Sequence, residues 1–130
     1  MAQAWMLAGA AAAGGAMGSA ARWAMVAAVG RLMGPGFPYG TMVVNILGSF
    51  LMGMLIDYLA FRGPIPEPVR VLLVTGVLGG FTTFSTFSLD LVFLIERGAW
   101  VPAFGYLFGS VLLGVAGLMA GMALCRQILA

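Results

Sequence analysis

Apolar and small residues run along this chain in four long blocks. They extend from about Ala4 to Val29, Tyr39 to Ala60, Pro68 to Ile95 and Trp100 to Ile128. A bilayer core of about 30 Å is crossed by about 20 apolar residues in a helix. The pattern therefore predicts an all-α integral membrane protein with four short transmembrane helices, folded as one domain over residues 1–130. The intervening stretches are "GRLMGPGFP" (30–38), "FRGPIPEP" (61–68) and "ERGAW" (96–100), which carry the Gly, Pro and charge that end helices and make turns. No second domain and no long linker fit in what remains.

Polar residues inside these blocks need a reason, because an unsatisfied polar group in hydrocarbon costs several kcal/mol, as an order of magnitude. The densest cluster is "GGFTTFSTFS" (79–88), in the middle of the third block. Each glycine weakens a helix by about 1 kcal/mol relative to alanine. The hydroxyls of Thr82, Thr83, Ser85, Thr86 and Ser88 offer the backbone other partners. The third helix is thus expected to break near its middle, baring carbonyls of its first half and amides of its second. Non-helical backbone at that depth survives only when buried in protein or lining a cavity, and bare carbonyls suit a hard cation. Phe84 and Phe87 fall three apart, on one helix face. Their edges are weakly positive and would suit an anion; ordinary packing explains the same spacing.

Thr41, Asn45 and Ser49 share a face of the second block, with Gly48 beside them. Two readings of Asn45 are open: glue between helices, or a donor aimed into an aqueous path. Arg22, about five turns into the first block, either snorkels to the far interface or makes a cavity mouth electropositive. Tyr106, Ser110 and Gly114 make a polar-to-small stripe on the fourth block.

Composition narrows the function. The chain is 62% hydrophobic and 8% charged, against about 25% charge in soluble domains. Six arginines and four carboxylates give a net charge of +2, but no basic patch for nucleic acid. The lone Cys125 allows neither an internal disulfide nor a thiolate metal cluster. The opening "MAQAWMLAGAAAAGGAMG" lacks a positive n-region, so its helix is expected to stay uncleaved. Arg62, Arg70 and Arg126 fall on one side of the membrane, Arg31 and Arg97 on the other. So even a balance does not fix orientation, and leaves open insertion both ways and pairing with an inverted copy. Gly14 and Gly18 lie on one face with Arg22, Gly48 and Gly53 flank "SFLM", and Gly114, Gly117 and Gly121 line the fourth block. Such stripes serve close packing within a bundle or a homodimer.

With "GTMVVNILGSF", "GGFTTFSTFS", the "GGAMGSAARW" segment and four short spans, the chain resembles the Fluc (CrcB-type) fluoride channels of bacteria over nearly its whole length. The resemblance implies an antiparallel, dual-topology homodimer in the bacterial inner membrane, with two pores lined by both copies. It implies a structural Na+ at the dimer centre, held by main-chain carbonyls; here those are Gly79 and Thr82. It places Asn45 as pore-side donor and Phe84 and Phe87 along the fluoride path. Thr83, Ser85 and Thr86 would supply hydroxyls, Tyr106 and Ser110 a polar track, and Arg22 an aqueous vestibule. The family usually has a glutamate two residues after "STFS"; Asp90 stands there, one methylene shorter. Where some members place a serine on the track this chain has Gly114.

The implied function is passive, selective fluoride export that relieves fluoride toxicity. A small, strongly hydrated anion must trade water for donors that are good but not too good. Amide and hydroxyl hydrogens with ring edges meet that need; a row of arginines would trap the ion. A small dual-topology proton-coupled exporter would want a carboxylate in the first span, which has none. A non-transporting membrane scaffold would use the glycines but leave the hydroxyl-rich break idle. An enzyme is not expected, since there is no histidine and no nucleophile–base pair.

Overall fold

A computed structural model describes all 130 residues and is wholly helical. The first helix spans Ala2–Met33 and the second Tyr39–Arg62. The third span begins at Glu67, and its two halves meet at Thr82 and Thr83. Its rear half is Phe84–Glu96, and the last helix is Trp100–Leu129. At about 1.5 Å per residue, even the 24-residue second helix is about 36 Å long, enough to cross a bilayer core.

Three spans, Tyr39–Arg62, Glu67–Glu96 and Trp100–Leu129, are long and apolar enough by themselves to cross a membrane. The first helix is the longest but falls outside that group. It is built chiefly of alanine and glycine, which add length without much apolarity. Its place follows from packing: it lies along the front half of the third span and against the second helix. Only 18 of 130 residues are buried, so most of the apolar side chains face outward, as in a bundle solvated by lipid.

Contacts between the ends define the topology. Gln3 donates to Glu67 at 2.9 Å, and Arg126 near the carboxyl terminus pairs with Asp57 near the end of the second helix. Both termini and loop 63–66 therefore share one end of the bundle. At the other end Arg97 donates to the Gly36 carbonyl at 2.6 Å, joining the turn at 97–99 to the one at 34–38. The chain is a multi-pass, up-and-down membrane bundle.

Glycine sets the helix spacing. A Cβ at Gly14 or Gly18 would run into the backbone of Leu72, Gly76 and Val77 in the third span. One at Gly53 or Gly121 would run into the main chains of the last and second helices respectively. Lipid gives no hydrophobic drive for association, so such close approach supplies the dispersion contact that holds helices together. The third span is wound more widely than an α-helix over Val71–Leu78, with π geometry, just before it breaks. Behind the break, Phe87, Leu94, Ala103 and Tyr106 form a small buried cluster that seats the rear half on the last helix.

Gly121→Val is expected to lower stability by about 1–3 kcal/mol through overpacking against Phe50. Gly105→Val, where nothing lies within 4 Å of an added Cβ, should change it by no more than about 0.5 kcal/mol. Unfolding curves in detergent would check the contrast.

Candidate functional site at the break in the third span

The break is two residues long. Thr82 and Thr83 adopt extended backbone (φ −91°, ψ 158° and φ −152°, ψ 123°) between two helical segments. Helical hydrogen bonding would send the Thr83 amide to the Gly79 carbonyl and the Thr86 amide to the Thr82 carbonyl. Neither bond forms. The Thr83 amide donates to Asn45 Oδ1 at 2.7 Å, and Asn45 Nδ2 donates back to the Thr83 carbonyl at 3.0 Å. The carboxamide thus pairs with the N–H and C=O of one residue, much as a neighbouring strand would. Thr83 also caps the rear half, its Oγ1 accepting from the Thr86 amide at 3.2 Å. A third diverted group is the Gly80 carbonyl, which accepts from Arg22 Nε at 3.0 Å.

The remaining hydroxyls divide by use. Thr82 and Ser88 return theirs to carbonyls four residues back, at 3.1 and 3.0 Å. Ser85 Oγ lies 3.5 Å from Thr83 Oγ1 at the mouth of the cap. Ser110 Oγ, on the last helix, is buried and has no hydrogen-bond partner at all.

A groove of about 400 Å³ runs alongside the break. Asn45, Gly48 and Ser49 form one wall, Thr82, Thr83, Phe84 and Phe87 another, and Ser110 and Val111 the back. Phe84 is 79% exposed, standing at the groove's edge, whereas Phe87 is buried; their ring centroids are 5.8 Å apart. Tyr106 sits behind the wall, its ring centroid 5.1 Å from that of Phe87, and its hydroxyl donates to Asp90 at 3.1 Å. The shorter carboxylate at position 90 therefore still reaches the tyrosine. No set of acidic, histidine or cysteine side chains is grouped to hold a metal.

Of the residues singled out from sequence, Asn45, Thr82, Thr83, Phe84, Phe87 and Ser110 come together around this groove. Ser85, Thr86 and Tyr106 lie next to it, and Gly79 lies on the exposed side of the front half. Arg22 is half-buried and bound to the break itself. Ser49, read on the Asn45 face, and Met52 also line the groove. Met52 has no polar signal to mark it.

An all-helical bundle with a pinned break facing a partly polar groove defines a small multi-pass membrane protein. Comparison with known proteins makes this specific. A family model described as "CrcB-like protein, Camphor Resistance (CrcB)" matches residues 9–122. The chain is 52% identical over 120 residues to the fluoride-specific ion channel FluC of Caulobacter vibrioides, covering 92% of this chain and 94% of that one. It is 51% identical over 129 residues to the protein of the same name from Phenylobacterium zucineum, covering 98% and 99%. For the Nitrobacter winogradskyi protein of that name the identity is 47% over 124 residues, covering 95% and 98%. The chain belongs to the CrcB family, whose members named here are ion channels and not enzymes.

Asn45→Leu removes both side-chain bonds to the Thr83 backbone. The expected cost is about 1–3 kcal/mol, since the Thr83 N–H is left without an acceptor while its carbonyl, at the N-cap, keeps the first bond of the rear helix. Hydrogen exchange at the Thr83 amide should accelerate along with the drop in melting temperature.

Proposed function

We propose that the chain is a passive, selective fluoride channel of the bacterial inner membrane, working as an antiparallel, dual-topology homodimer. The observation that carries the reading is the groove. Its back wall holds a buried hydroxyl with no partner, Ser110 Oγ, opposite the Phe84–Phe87 pair and the Asn45 amide. The relatives named as fluoride-specific channels supply the identity of the ion.

An anion entering the groove would exchange water for the Ser110 hydroxyl and for the second hydrogen of the Asn45 amide. One Nδ2 hydrogen is committed to Thr83; an amide has two. The positive ring edges of Phe84 and Phe87 would add weak attraction. None of these groups carries a net charge, so the ion is held loosely enough to leave. Arg22 contributes positive potential near the break while tied to the Gly80 carbonyl. Phe84, so widely exposed in one chain, would be covered by the second copy, completing the wall.

The residues also fit a structural Na+. With the Thr83 and Thr86 amides drawn to other acceptors, the carbonyls of Gly79 and Thr82 keep no helical partner. Carbonyl oxygens on unwound helix suit a hard monovalent cation. The Gly79 and Thr82 carbonyls of the two copies would hold it. When bound, the ion would supply fixed positive charge that holds the breaks of both copies in register.

In proteoliposomes, fluoride efflux should be fast and chloride efflux undetectable; equal rates would defeat the reading. Ser110→Ala should slow fluoride by about tenfold, the worth of one hydrogen bond of about 1–1.5 kcal/mol, with folding intact. Phe84→Ile, at the exposed edge, should cut flux without lowering the melting temperature; unchanged flux would assign the ring to packing alone.

A further inference from the structure

We infer a binding site for an anionic phospholipid in the cavity between the end of the second helix and the start of the third span, with Arg70 as the ligand for the headgroup phosphate. The cavity is about 490 Å³, within the range of about 300–1,000 Å³ typical of ligand pockets. It is lined by Ile56, Leu59 and Ala60 of the second helix, the turn at Gly63–Ile65, and Arg70 of the third span. This lies at the end of the bundle where Gln3 meets Glu67 and Arg126 meets Asp57, the level at which the helices leave the hydrocarbon.

Arg70 is the one arginine at this end without a partner. Arg126 is paired with Asp57. Arg62 donates to the Tyr58 hydroxyl at 3.0 Å and lies 5.7 Å from the centre of that ring. The Arg70 side chain is exposed, and no hydrogen bond or ion pair engages it. Glu67, one turn before it, is bonded to Gln3. Pro64 and Pro66 remove two backbone N–H donors from the neighbouring turn, leaving the guanidinium as the main donor for an anion.

The walls identify the ligand. A free inorganic anion would satisfy Arg70 but leave Ile56, Leu59 and Ile65 wet. A phospholipid places a phosphate against the guanidinium and its first acyl carbons along those side chains. A zwitterionic headgroup would bring an ammonium to a pocket that has no acidic side chain in its lining. The inference rests on the membrane placement of the bundle and not on which ion it conducts.

Native mass spectrometry of the detergent-purified, delipidated protein tests it, with phosphatidylglycerol and phosphatidylcholine titrated separately. The protein should retain one phosphatidylglycerol per chain with about fivefold preference over phosphatidylcholine, the contribution of one arginine near a membrane surface. Arg70→Gln should abolish the preference, Arg70→Lys should keep part of it, and Arg31→Gln at the opposite end should leave it unchanged. Equal binding of the two lipids would overturn the assignment. So would a preference that survives Arg70→Gln, or one lost equally in Arg31→Gln. Displacement by inorganic phosphate alone would point to a simple anion site and would also overturn it. A cavity that takes no lipid because a second copy covers it would do the same, and would show as an altered oligomer mass in Arg70→Gln. Fluoride flux is not a readout here, so failure of the lipid site and failure of the channel reading remain separable.

Discussion

Every peptide group inside a bilayer needs a partner, and a helix provides them automatically until it stops. This chain stops a helix mid-membrane and replaces the lost bonds one at a time. Asn45 bonds both the N–H and the C=O of Thr83, Thr83 caps the Thr86 amide, and Arg22 takes the Gly80 carbonyl. The Asn45 pair matters most because it is bidentate and comes from another helix. It fixes where the second helix sits against the break, and so where the groove between them opens. The same exchange leaves the Gly79 and Thr82 carbonyls without helical partners, which is the chemistry a cation would use.

Position depends on the glycines. Gly14 and Gly18 bring the first helix close enough for Arg22 to reach Gly80, since a single Cβ there would collide with the third span. Gly48 does the same for Asn45: a Cβ at that position would clash with Thr82. Gly53 and Gly121 close the second helix on the last, which carries Ser110 to the back of the groove. The polar constellation is therefore a product of backbone proximity, and the small residues and polar ones form one design. A bulky substitution at these glycines would move a donor as well as weaken a contact.

The sequence made the break legible because its signals are local. Two glycines and five hydroxyls in succession oppose a continuous helix wherever they occur. Asn45 was harder: helix glue and pore donor are alternatives on a helical wheel, and the structure shows the first, with one Nδ2 hydrogen engaged by Thr83 and the other without a partner in the chain. Arg22 was read as either snorkelling or facing water, and its bond to Gly80 was invisible because it joins residues 58 apart. The same holds for Asp57 and Arg126, 69 apart, where only the arginine drew notice, as a loop charge. The π-wound stretch Val71–Leu78 has no sequence mark, since it arises where the third span packs on the first. The first helix shows the converse case: length and small residues suggested a span, but its apolarity alone does not reach that of the other three.

The central claim is that the carboxamide–peptide pair holds the break open for an ion. It is tested most directly by replacing the peptide bond before Thr83 with an ester, which deletes the one N–H that donates to Asn45 and leaves every side chain in place. Fluoride efflux from proteoliposomes, measured beside the melting temperature, should fall by about tenfold or more with a stability loss of about 1–3 kcal/mol. Efflux and stability both equal to those of the native chain would show that the pairing is incidental to the path.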